Sequence, residues 1–468
     1  MTYRRYQTPV CLQMKWRCMN RAKKITEEEL LHGDLRKVFL HYLFPAVSAT
    51  FLIAANYLID TICVGQKVGE TGIAALNVSV PVTGLFYALG YLFAYGSSNL
   101  FSNHIGAGEK EKARVYYGTS VKSLFLIALI LMGLGIGFND QSTWLLCNGA
   151  SFYKEASEYL YYVFVFMPFY CLETFYVVYM RNDGSPIMSA VGTFTTCVTN
   201  ILLDFLFVWV LDLGLAGASA ATGLGLVFGF GIDFSQTFRK NSLLKIRGSG
   251  YSLKSLRKIV ITGFSNFIRE FSGSFLVLIV NIILLDLSGE TAVAVYGVIA
   301  NLGNVVMCAL TGASNAIQPI IAVNLGGKQY DRVRRLLKMG IIASTVMALA
   351  YTAFAEIAPQ LLIAIFLDHP TEQLQAMCIP GIRIISPGYI AAGITTVYNV
   401  YFESTLRSKN AFWIALIRGL IAPVTAIAVF VRFFGVEGVW LSFLVAELFS
   451  LWCAIRIERN FDLNGSQI

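Results

Sequence analysis

Apolar residues in this chain fall into long, nearly unbroken runs, unlike the spaced stripes of a water-soluble fold. Twelve such runs stand near residues 38–63, 73–102, 115–138, 157–180, 186–211, 213–236, 258–285, 291–322, 339–365, 377–402, 410–431 and 436–455. At 1.5 Å rise per residue, about 20 residues cross a hydrocarbon core roughly 30 Å thick. In lipid only helices and closed barrels satisfy the backbone, and these runs are too long for barrel strands. The pattern predicts an all-α polytopic membrane protein with twelve transmembrane helices.

Composition agrees: of 468 residues, 56% are hydrophobic and only 14% charged, with a mean hydropathy of +0.63. Charge then orients the chain. With the N-terminus placed in the cytoplasm, 29 of the 36 Lys and Arg fall in cytoplasmic segments, and only Lys67, Lys154 and Arg432 fall outside. That bias follows the positive-inside rule and puts both termini in the cytoplasm, across the cell's inner (plasma) membrane. The net charge of +8 is thereby topological, and nothing is left for a nucleic-acid partner to explain. The nine cysteines form no CxxC pair, which argues against a metal or disulfide framework. Residues 1–30 lack the apolar core of a cleavable signal peptide and read as a disordered tail, with Met14 and Met19 as alternative starts.

A basic stretch near 239–258 divides the spans into two sets of six, and the sets resemble each other. At an offset of 220, Gly69-Glu70-Thr71 recurs as Gly289-Glu290-Thr291, Ala74 as Ala294, Gly106 as Gly326 and Arg114 as Arg334. At 221, Gly214 and Gly217 recur as Gly435 and Gly438. The expected organisation is a tail (1–35), an N-lobe (36–238), a basic linker (239–257), a C-lobe (258–456) and a second tail (457–468). Two pseudo-symmetric six-helix lobes are a transporter plan, with the site near the interface of the repeats.

Four polar residues interrupt the apolar runs of the first half: Asp60, Asn200, Asp204 and Thr222. An ionisable side chain inside a span is costly and marks a functional site. Counted from the outer ends of their spans, Asp60, Asp204 and Thr222 lie at roughly common depths of 8 to 14 Å. Asn200 shares a helix face with Asp204, four residues on. Desolvation and a second carboxylate both favour the protonated acid, and the oxygens of Asp, Asn and Thr are also suitable ligands for a hard cation. The cluster is therefore a candidate cation or proton site, for H⁺ or Na⁺ alike.

Several motifs stand in a characteristic order. They are Asn56-Tyr57-Leu58-Ile59-Asp60-Thr61, Val64-Gly65, Gly69, Gly106-Ala107-Gly108, Arg181-Asn182-Asp183-Gly184, Asn200-x3-Asp204, Gly217-Ala218-Ser219-Ala220-Ala221-Thr222, Gln318-Pro319 and Asn324-Leu325-Gly326. Together they resemble the multidrug and toxic compound extrusion (MATE) transporters, most like their bacterial DinF-type and MepA-like members, from about residue 36 to 456. The resemblance implies an antiporter that expels small organic, often cationic and amphipathic compounds in exchange for H⁺ or Na⁺. It implies two six-helix lobes around a central cavity, their alternating access, no cofactor besides the coupling ion, and a monomer in the bilayer. It also maps the family's N-lobe cation site onto Asp60, Asn200, Asp204 and Thr222, and a bend in the first helix onto Pro45, whose ring removes a backbone donor.

Another branch of the family couples through acids of the second lobe, for which Glu270 in span seven is the candidate here. Glu270 and the adjacent Arg269 point about 100° apart on a helix, so Glu270 is expected to pair with Arg383 or Arg418 as a structural or gating ion pair. Glu173 in span four is a cavity candidate, with the rings of Tyr170 and Tyr176 available to an organic cation. A lipid-linked oligosaccharide or polysaccharide flippase of the same superfamily is the nearest alternative, but it would need more intramembrane cations than Arg269, Arg383 and Arg418. No HExxH, GxSxG or GxxxxGK[ST] motif occurs, which argues against a membrane enzyme or an ATP-driven pump.

Overall fold

The computed structural model describes residues 24–147, 153–239, 242–246, 248–365 and 372–459. Within them the chain is helical. A short helix, α1 (Glu27–His32), opens with a capping box in which Thr26 and Glu29 satisfy each other's backbone N–H groups. Residues 24–35 are thus structured rather than part of a disordered tail, and residues 1–23 lie outside the described residues. Asp34 caps α2 (Leu35–Val68), accepting from the Arg36 N–H at 2.9 Å. α2 is continuous through Pro45 and stops at Gly69, whose φ of +82° suits glycine. There follow α3 (Glu70–Gly106), α4 (Lys110–Gly137), α5 (Asn139–Cys147), α6 (Tyr153–Val165), α7 (Met167–Asn182), α8 (Pro186–Asp204) and α9 (Gly214–Ser235). A π-turn, Phe205–Val210, extends α8.

The second half begins with α10 (Leu253–Gly326), 74 residues with two membrane-length apolar runs, Leu253–Ser288 and Val295–Gly326. It continues with α11 (Tyr330–Ile357), α12 (Pro359–Ala364), α13 (Glu372–Ile385), α14 (Gly388–Ser404), α15 (Ser408–Leu416) and α16 (Ala422–Arg459). Eight helical runs are long and apolar enough to cross a bilayer, and the bent pairs α6–α7 (52°) and α13–α14 (43°) supply two more. The 52-residue run Ser408–Arg459 turns at Gly435, where φ is +56° and ψ −128°, so it crosses twice. α3, 37 residues long, makes the twelfth crossing.

The internal repeat is visible in the backbone. After α3, Ala107 N–H donates to Asn103, Gly108 to Ile105 and Glu109 to His104; after α10 the same bonds recur 220 residues later, from Gly327, Lys328 and Gln329. Gly108 and Lys328 both hold positive φ in these turns, as do Gly214 and Gly435 before the sixth and twelfth spans.

The two halves meet where these turns lie, at the face of the protein that carries the basic loops. A Cβ on Gly106 would collide with the Val323 carbonyl oxygen, and one on Gly326 with that of Asn103. Both glycines therefore let α3 and α10 cross backbone to backbone, as small residues do in membrane helix packing. A polar seam runs beside the crossing. Tyr95 OH donates to Asn315 at 2.9 Å, Asn182 Nδ2 donates to Gln318 Oε1 at 3.1 Å, and Gln318 Nε2 donates to Asn99 Oδ1 at 2.5 Å. α1 spans the same seam. Lys24 pairs with Asp183 at 2.8 Å on the N-lobe side, while Arg332 of the C-lobe donates to the Leu30 and Gly33 carbonyls at 3.1 and 3.0 Å. The linker also docks: Lys122 on α4 donates to the Ser249 carbonyl at 2.7 Å.

Candidate cation site

α2 and α8 each carry an asparagine four residues before an aspartate, Asn56–Asp60 and Asn200–Asp204. One helical turn separates the members of each pair, so each helix shows an amide and a carboxyl on one face. The structure brings these faces together. Asn56 Nδ2 donates to Asn200 Oδ1 at 2.8 Å, and Asn200 Nδ2 donates to Thr222 Oγ1 on α9 at 3.3 Å. Thr222 sends its own proton to the Ala218 carbonyl at 3.1 Å, which leaves its oxygen facing the cluster. The carboxyls of Asp60 and Asp204 are neighbours within this cluster. Asp60 is 8% exposed and Asp204 wholly buried.

Electrostatically this pair is incomplete. Neither oxygen of Asp204 meets a donor, and neither does Oδ1 of Asp60 or of Asn56. Asn200 stands beside Asp204, and one N–H of its amide is directed to Thr222. Among the described residues, the ion pairs of Lys and Arg are made with other acids, such as Lys67 with Asp212 at 3.0 Å. Two neighbouring buried carboxyls without a donor repel if both are ionised, and burying such charge unpaired is expensive. Carboxyl, amide and hydroxyl oxygens in one cluster are the types of group that take a proton or a small hard cation. Among the described residues no three His, Cys, Asp or Glu side chains meet as a metal cluster would require. The π-turn Phe205–Val210 begins directly after Asp204, and such local loosening of a helix recurs at functional sites.

The sister lobe provides a contrast. In its fifth span, Arg418 lies in another π-turn, Ile417–Ile421. Its Nε reaches both oxygens of Glu447 at 2.9 Å and its Nη1 donates to Thr396 at 2.7 Å. There the buried acid carries a tethered cation of its own, and in the N-lobe it does not.

The other sequence-selected residues lie apart. Arg269 pairs with its neighbour Glu270 at 3.4 Å and approaches Glu403 at 3.7 Å, while Arg383 faces Glu356. The expected pairing of Glu270 with Arg383 or Arg418 is therefore not found. An arginine stem is long enough to swing its head across the 100° between adjacent positions. Glu173 is buried and accepts from Thr196 Oγ1 at 3.3 Å. Tyr170 and Tyr176 are core residues, 2% and 1% exposed, so their rings are not open to an organic cation. Asn56 went unselected in the sequence, although its spacing to Asp60 repeats that of Asn200 to Asp204.

The family model described as MatE matches this chain twice, over residues 45–206 and 267–427. The chain is a member of the MatE family. The double match coincides with the internal repeat, and each copy covers most of one lobe. Like the rest of its family, this MatE chain is a membrane transporter and not an enzyme. It is similar to the multidrug export protein MepA of Staphylococcus haemolyticus (strain JCSC1435), 24% identical over 438 residues covering 92% of this chain and 95% of that one. In fold it is similar to a solved MATE in complex with MaL6, at TM-score 0.87 and 19% identity, covering 94% of this chain and 100% of that one. It is equally similar to an outward-facing multidrug resistance MATE transporter of the MOP superfamily, at TM-score 0.87 and 19% identity over 95% of this chain and 100% of that one. Those structures have the two-lobed, twelve-span architecture described above.

Proposed function

We propose that this MatE transporter is a secondary active exporter of small organic compounds, often cationic and amphipathic, driven by entry of H⁺ or Na⁺. It works as a monomer in the bacterial inner membrane, with its basic loops and both termini in the cytoplasm. The observation that carries the reading is the donor-less pair Asp60 and Asp204, set beside the self-neutralised pair Arg418 and Glu447 of the sister lobe. Acids without a tethered cation can take an ion from solution, and an ion that binds from one face and leaves to the other can drive transport. The kinship to proteins named for multidrug export supports organic substrates.

In this reading the N-lobe site accepts its ion while the lobes are closed at the cytoplasmic seam. Substrate leaves outward as the ion enters, and the lobes then reopen to the cytoplasm. The test is a substrate-panel efflux assay in a pump-deficient cell, with Na⁺ present or absent and the proton gradient intact or collapsed. Export should stop when one of the two gradients is removed. Export indifferent to both would overturn antiport.

A further inference from the structure

The N-lobe holds a second pair of buried acids that the coupling site does not use. On α8, Asp204, Asn200, Thr196 and Gly192 recur every four residues and share one face. Thr196 Oγ1 donates to Glu173 Oε1 on α7 at 3.3 Å. One turn further along, the Asp233 carboxylate of α9 lies against Gly192 so closely that a Cβ there would sit 2.5 Å from both its oxygens. Gly229, one turn before Asp233, leaves room for the Thr196 hydroxyl in the same way. Two glycines thus open the α8–α9 contact for one hydroxyl and one carboxylate.

Asp233 is wholly buried, and neither of its oxygens has a donor. The charged groups that act on it are Glu173 and Arg181. Arg181 is itself turned to Tyr95 OH, to which it donates at 3.2 Å, so it forms no ion pair with either acid. A carboxylate buried without a donor or a paired cation is costly. The position makes sense if it carries a proton. It is also 11 residues past Thr222 on α9, about 16 Å nearer the basic-loop face.

We infer that Glu173 and Asp233, set one turn apart against the Thr196 and Gly192 positions of α8, form an inner proton station that passes the coupling proton between the Asp60–Asp204 pair and the cytoplasm. The inference rests on the antiport reading and commits it to H⁺. In each transfer one carboxylic acid gives up a proton and becomes a carboxylate while its acceptor becomes the acid. No electrons move, and no further reactant is needed. A proton requires no cavity, which suits an oxygen pair pressed onto a glycine Cα.

The experiment uses the whole protein reconstituted in vesicles. Infrared difference spectra between acid and alkaline pH report protonated carboxyl groups without any substrate. D233N and E173Q should each lose part of the carboxyl C=O signal, separately from the part lost in D204N. With a substrate drawn from the efflux panel, D233N should exchange substrate across equal concentrations yet lose its acceleration by an imposed pH gradient. Gly192→Ala, which displaces the Asp233 carboxylate without removing a titratable group, should show the same loss. A wild-type protein indifferent to the pH gradient would overturn the antiport reading as stated for H⁺. A wild-type protein driven by the gradient, with D233N and Gly192→Ala driven equally well, would overturn the inner station alone. Loss of the Asp233 signal on adding Na⁺ at constant pH would assign the pair to sodium and overturn the proton assignment.

Discussion

At the scale of residues, the N-lobe is marked by buried acceptors without donors. Asp60 and Asp204 were legible in the sequence because an acid inside a span is costly, and Asn200 because it lies one turn from Asp204. The match of Asn56 to Asn200 was equally present but easy to pass over, since an amide in a span is most often an ordinary interhelical hydrogen bonder. Asp233 was hidden for a different reason. It lies three residues from the expected end of its span at 236, where an acid is cheap, and only the packing of Gly192 against its carboxylate shows that water is kept away. Asp204→Asn should abolish export in everted vesicles while leaving the protein inserted and folded; export at the wild-type rate would remove Asp204 from coupling. Asn56→Ala deletes the donor to Asn200 Oδ1, a bond worth about 0.5–1.5 kcal/mol. It should weaken the apparent affinity for the coupling ion several-fold, read from the dependence of transport on ion concentration.

At the scale of elements, long apolar runs made the twelve crossings readable, since length alone decides whether a helix spans a bilayer. What the runs did not show is how the helices break. The bends of 52° in α6–α7 and 43° in α13–α14 come at Pro168 and Pro387, where the ring cannot continue the backbone ladder. The contact between α3 and α10 depends on Gly106 and Gly326, whose recurrence at 220 was plain in the sequence but whose mutual approach was not. Gly326→Val forces a side chain into the Asn103 carbonyl and should cost roughly 1–3 kcal/mol or more. A lower thermal midpoint in detergent would show this. Gly133→Val, where a Cβ meets nothing within 4 Å, should leave the midpoint unchanged.

At the scale of the whole molecule, the lobes are joined along the basic-loop face by the α3–α10 crossing, the Tyr95–Asn315 and Gln318–Asn99 bonds, and α1. The double family match and the repeated turns make the lobes equivalent in plan, and the charges make them unequal in use. The segment Lys24–Gly33, which contains α1, ties Asp183 of one lobe to Arg332 of the other, so it is placed to hold the seam shut. In a background without native cysteines, Ser98→Cys, buried in the seam, should resist a membrane-impermeant maleimide applied from the cytoplasmic side. Adding Lys24→Ala and Arg332→Ala should speed labelling. Unchanged labelling would remove α1 from the closure.

In the proposed cycle, Asp60 and Asp204 hold an ion which substrate displaces. The direct measurement is ion release from purified protein on adding substrate, followed as protons in weakly buffered solution and as Na⁺ in parallel, for wild type and Asp204→Asn. The account predicts release of one of the two ions from the wild type and none from the variant, with substrate still bound by both. Equal release from both proteins would contradict it.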